Sequence, residues 1–218
     1  MKWGVILGAL VVAIAFAIWR SRDTEEAFKK NVPDGAKTDV NETNFENRSV
    51  STNPIDKILN DLKVDFLLFN KIKVKGWSKH NAVIDHLLIT RQGITVFRNI
   101  EIPAKSVTAT QSEWILDTKE GRKKIKNPVN MNNYAISILR NILKKSAKSI
   151  YHKLDFVSVV LFDDSVKINS SLKENKNAIV IKKSLLHDLL ETITQKPAKL
   201  SKEEMILLKR TIGESLTG

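Results

Sequence analysis

Residues Lys79–Glu101 read KHNAVIDHLLITRQGITVFRNIE, and this stretch decides the fold. Two short apolar runs, Ala82–Thr90 and Ile94–Ile100, are predicted as strands joined by a tight turn at Arg91-Gln92-Gly93. Asp85 and His86 interrupt the first run, with Val83 and Ile84 before them and Leu87, Leu88 and Ile89 after. A carboxylate in such a run is costly to bury unless it is paired, hydrogen-bonded or bound to a metal. Asp85 is therefore the first candidate for a site residue. His86, its neighbour, falls on the opposite face by strict alternation and is expected to be a hydrogen-bonded core histidine.

Around this pair of strands the spacing defines the other elements. Pro54–Lys63 carries Ile55, Ile58, Leu59 and Leu62 at helical intervals, with Pro at the first turn. Val64–Val74 is predicted to be extended, with Lys71, Lys73 and Lys75 on one face and Ile72 and Val74 on the other. Gly76-Trp77-Ser78 is a turn, Glu113–Asp117 a strand, and Gly121–Lys126 a basic loop. Asn127-Pro128 opens a long helix, Val129–Lys148. Phe156–Phe162 and Ala178–Ile181 are strands. Helices near Lys183–Thr194 and Ser201–Ser215 end the chain, the last with a Ser201…Glu204 capping box. Antiparallel strands followed by a helical crossover give an α/β class: one mixed central sheet flanked by helices.

Composition narrows the function. The 218 residues include no cysteine, which removes disulfides and thiolate metal sites. Thirty-six Lys and Arg against 24 Asp and Glu leave a net charge of +12, which favours nucleic acid or anionic lipid as partner. The sequence contains no Gly-rich phosphate loop, no HExxH and no nucleophile elbow.

The first 22 residues are expected to be a transmembrane anchor. Trp3–Trp19 is uncharged, and as a helix it spans roughly 25 Å. Arg20 and Arg22 follow at once, so the positive-inside rule places the bulk of the chain on the cytoplasmic side of the membrane. A cleaved secretory signal ending at Ala15-Phe16-Ala17 is the rival, set against a minimal basic leader. Residues 23–53 have linker composition, and 54–218 form the globular domain.

The run Val83-Ile84-Asp85-His86, then Gly93-Ile94, then Arg98-Asn99-Ile100, with Trp114 and Asn127-Pro128-Val129 downstream, resembles the nuclease-related domain family over roughly Pro54–Thr211. That family is a branch of the restriction-endonuclease-like superfamily with a PD-(D/E)XK site. The resemblance implies an Asp and a Glu on adjacent strands binding Mg²⁺, with a Lys two residues beyond the Glu, for phosphodiester hydrolysis. Here Asp85 is kept, but Arg98 stands at the Glu position and Ile100 at the Lys position. Arg98 beside Asp85 is expected to form an ion pair and repel Mg²⁺. Glu101 and Asp56 are the carboxylates that could replace the missing ligand.

Three functions follow as expectations. One is a catalytically degenerate, membrane-anchored domain that binds nucleic acid or a partner protein, with Lys71, Lys73, Lys75, Arg122, Lys123, Lys124 and Lys126 as the nucleic-acid contacts. Another is an active Mg-dependent endonuclease with a migrated carboxylate, in which Asp85 binds the metal. The last is a structural subunit of a membrane assembly. Trp77 and Trp114 are expected to pack rather than to stack on bases.

Overall fold

The computed structural model describes residues 54–76, 81–110, 113–169, 172 and 178–216. The expected anchor (1–22), the linker (23–53) and Trp77 lie outside the described residues. Among the described residues no helix is long and apolar enough to cross a membrane.

Among the described residues, five α-helices and nine strands follow in the order α1 (Pro54–Asp61), β1 (Phe66–Lys75), β2 (Asn81–Thr90), β3 (Gly93–Ile100), β4 (Ser106–Ala109), β5 (Glu113–Thr118), β6 (Gly121–Lys126), α2 (Pro128–Ser146), α3 (Lys148–Tyr151), β7 (Phe156–Phe162), β8 (Lys167–Ile168), β9 (Ile179–Lys182), α4 (Leu186–Thr194) and α5 (Lys202–Leu216), with a 3-10 turn at Lys183–Leu185 before α4. The mixed α/β class holds, but the strands form two sheets rather than one. The larger has the order β1-β2-β3-β7-β9 and the smaller β6-β5-β4-β8. In the larger sheet β1, β2 and β3 run antiparallel, while β3, β7 and β9 are parallel.

Three cores hold these layers. Ile84, Leu87, Ile89 and Val96 pack against Ile138, Leu139 and Leu143 of α2 and Met205 and Leu208 of α5. On the other face, Leu88, Phe97 and Val159 meet Ile55 and Leu59 of α1 and Leu189 and Leu190 of α4. The third core joins the sheets: Val107, Trp114 and Leu116 close over Ile100, Val160 and Phe162. Trp114 stacks on Phe162 at 5.9 Å and is fully buried, so its role is packing.

Gly121–Lys126 is a strand, not a loop. Among the described residues β6 pairs with β5 alone and so is an edge, and its charged side chains disfavour pairing of the open side with another strand. The long helix ends at Ser146, two residues early, and α3 follows as a separate turn.

Local signals account for the element ends. The Asn127 carboxamide accepts the amides of Val129 (2.9 Å) and Asn130 (3.3 Å) at the start of α2. The Ser201 hydroxyl accepts the Glu204 amide at 3.2 Å, and the Glu204 carboxylate accepts the Ser201 amide at 2.9 Å, a complete capping box. Gly93 has φ +147°, and a Cβ there would meet the Asp155 carbonyl oxygen at 2.6 Å. Only glycine fits that turn.

Candidate active site

The site forms where the ladder between β2 and β3 stops. Paired residues run from Thr90↔Gly93 to His86↔Phe97 and no further. Side chains take over from there. Arg98 Nη1 donates to Asp85 Oδ1 at 3.2 Å, and the Asn99 amide donates to Asp85 Oδ2 at 2.8 Å. Arg98 Nη2 donates to the Val83 carbonyl. Each partner thus bonds the other's strand as well as the other's side chain. Arg98 is 8% exposed, while the Asp85 side chain is 24% exposed.

The neighbouring strand is distorted at the same level. Lys71 stands between the pairs Asn70↔His86 and Ile72↔Ile84, opposite Asp85, and has φ +50°. The alternation of core residues changes phase there. Leu67 is buried before the break and Ile72 and Val74 after it, all in one core. On β2 the same core takes Ala82 and Ile84, then Leu87 and Ile89. A strict period of two would send one of each set to the opposite face.

His86 has partners the sequence did not reveal. Its Nδ1 lies 2.7 Å from Asn70 Oδ1, and its Nε2 lies 2.9 Å from Asn99 Nδ2. A carboxamide oxygen only accepts, so Nδ1 carries the proton and Nε2 accepts from Asn99. This arrangement suits the neutral ring. Burial pushes its pKa below the ordinary value; the charges of Asp85, Asp56 and Glu101 pull it up, and Lys71 pulls it down. Burial likewise lowers the Arg98 pKa, and Asp85 opposes that shift. A guanidinium so placed stays cationic at neutral pH.

The structure therefore brings Asp85 and Arg98 together; Asp56 lies on α1 and Glu101 just beyond β3, and their charges act on His86 more weakly than that of Asp85. Ile100, at the expected lysine position, is buried in the core that joins the two sheets. Lys71 and Lys75 are exposed on β1, with Lys73 half-buried; Arg122, Lys123, Lys124 and Lys126 are exposed on β6. Both strands are sheet edges. Sequence reasoning missed Asn70, Asn99 and the fully buried Asn132. The last donates from α2 to the Val96 carbonyl, the Ser158 hydroxyl and the Val159 carbonyl, at 3.1–3.2 Å.

A divalent ion needs several oxygen ligands with free lone pairs. Here both Asp85 oxygens already accept a hydrogen bond, and one of the donors is a cation. Among the described residues no group of three or more His, Asp or Glu side chains could hold a metal. The arrangement does not fit Mg²⁺.

The nuclease-related domain family matches residues 48–163, more than half of the chain. The chain belongs to this family. The match runs from just before α1 through β7. The strand and helices after it, up to Thr211, were expected to share the resemblance but lie beyond the matched residues. The chain matches no curated protein and no solved structure. Charge is uneven along the chain that carries this nuclease-related domain. The first 53 residues carry seven Lys and Arg against seven Asp and Glu, so the whole excess of twelve belongs to residues 54–218.

Proposed function

We propose that this is a single-pass membrane protein whose nuclease-related domain faces the cytoplasm, has lost metal-dependent hydrolysis, and binds nucleic acid through phosphate contacts. The observation that carries the loss of hydrolysis is the Arg98–Asp85 pair: a guanidinium at 3.2 Å from the carboxylate supplies the positive charge that a metal would. The net charge of +12 supports an anionic partner. The uncharged Trp3–Trp19 segment, followed by Arg20 and Arg22, supports the anchor and its orientation. The test is plasmid nicking by the purified full chain with Mg²⁺ or Mn²⁺. No metal-stimulated nicking is expected. Nicking by the wild type that Asp85→Asn abolishes would overturn the reading.

An active endonuclease would instead use a migrated carboxylate, Glu101 or Asp56, beside Asp85, and would show metal-stimulated nicking in the wild type. Loss of nicking in Glu101→Gln or Asp56→Asn would identify which. A protein partner, or a structural place in a membrane assembly, would show as binding that ignores nucleic acid.

A further inference from the structure

Between Glu120 and Asp155 lie 34 residues with nine Lys and Arg and no Asp or Glu. This segment is β6, α2 and α3. Its first cations are partly neutralised. Glu113 and Asp117 of β5 stand opposite Lys126 and Arg122, and Glu113 pairs with Lys124 at 3.4 Å. Near its end Lys153 pairs with Glu204 at 2.7 Å, but the three lysines before it stand apart. Lys144, Lys145 and Lys148 are exposed and enter no ion pair among the described residues.

The rest of α2 carries half-buried polar residues on the face away from the sheet, leading to the exposed lysines. Its buried positions, among them Asn132, Ala135, Ile136, Leu139 and Leu143, define the face against the sheet. The positions opposite, at helical spacing, are Asn130, Asn133, Ser137, Asn141, Lys144 and Lys145. Tyr134 packs against the core and Arg140 lies over the Phe156 ring at 5.1 Å, so neither belongs to the outer face. Asn, Ser and Lys are among the side chains that contact phosphate and sugar. A 19-residue helix is about 28 Å long. That length spans about eight nucleotides of one strand at 3.4 Å each.

We infer that the outer face at the end of α2, with Lys144 and Lys145, continued by Lys148 at the start of α3, is the surface that tracks a nucleic-acid backbone, in place of the β1 lysines. The inference rests on the nucleic-acid reading above and names its interface. A lipid surface is the weaker fit: among the described residues α2 and α3 expose no large apolar side chain of the kind that enters a bilayer interface.

The test compares two triple variants of the full chain, Lys144→Gln/Lys145→Gln/Lys148→Gln and Lys71→Gln/Lys73→Gln/Lys75→Gln. Binding of a fluorescent duplex DNA is followed against salt. The α2 variant should lower the slope of log K against log salt by about 2.7, near 0.9 for each phosphate no longer neutralised. The β1 variant should leave it unchanged, and a Lys-to-Arg triple on α2 should restore it. If the β1 variant alone lowers the slope, the α2 interface is wrong while nucleic-acid binding stands. If the wild type shows no salt-dependent binding, the nucleic-acid reading itself fails. If the α2 lysines govern pelleting with phosphatidylserine vesicles but not DNA binding, the surface belongs to the membrane and the inference is overturned.

Discussion

The Asp85 carboxylate bonds the backbone of β3, while the Arg98 guanidinium, its ion-pair partner, bonds the backbone of β2. Two strands that have stopped pairing are held by a reciprocal clasp of side chains. The same groups that the proposed reading sets in place of a metal also close the sheet, so the clasp has a structural role of its own.

Removing one member strands the other. Asp85→Ala leaves the buried guanidinium without a counter-charge, and Arg98→Ala leaves the Val83 carbonyl without its donor. Each should cost on the order of 3 kcal/mol in urea unfolding, near the lower end for a broken buried pair because Asp85 keeps some contact with water. The double variant should cost clearly less than the two losses added, with a coupling of at least about 1 kcal/mol. Additive losses would mean the pair does not act as a unit.

His86 makes stability depend on pH. Its folded pKa lies below the ordinary value, chiefly through burial. As pH falls, the unfolded chain takes up the proton first. Stability is then fully present above about 6.5, the unfolded value, and is lost as pH drops toward the folded pKa. Melting temperature should decline across that window in the wild type, and His86→Gln should flatten the decline. An unchanged slope in His86→Gln would assign the pH dependence to other groups.

The cap of α2 is a local test of the crossover. Asn127→Ala leaves two helix amides without their acceptor and should cost about 1 kcal/mol. Asn127→Asp keeps an acceptor and places a negative charge at the helix N-terminus, so it should cost less. Equal losses would mean that the side-chain bonds contribute little.

Gly93 is a sharper case. At φ +147°, with the Asp155 carbonyl oxygen 2.6 Å from a built Cβ, alanine fits neither the torsion nor the space. Gly93→Ala should cost at least about 2 kcal/mol, and much of the loss should appear as faster unfolding of the β2–β3 hairpin. A neutral substitution would contradict the close approach of the Asp155 carbonyl to this turn.

Much of the fold was legible wherever a signal was local. β2 and β3 follow from two apolar runs around Gly93, α2 from Asn127-Pro128, and α5 from Ser201 and Glu204. β4 and β8, four and two residues long, are too short to show a period. β6 was hidden because charge on every turn of an edge strand looks like a loop. The second sheet depends on Trp114 and Val107 closing over Phe162, a tertiary event without a local mark. At the site, the offset between Asp85 and Arg98 was readable from a hairpin with a short turn. The partners of His86 were not, because Asn70 and Asn99 come from two neighbouring strands and the period of two breaks at Lys71.

Whether Arg98 holds the place of a metal is tested most directly by thermal unfolding with and without Mg²⁺ or Mn²⁺, for the wild type, Arg98→Glu and Asp85→Asn. No metal-dependent shift is expected in the wild type, and a rise in melting temperature on metal addition is expected in Arg98→Glu, where two carboxylates replace the ion pair. A metal-dependent rise in the wild type that disappears in Asp85→Asn would contradict the place given to Arg98.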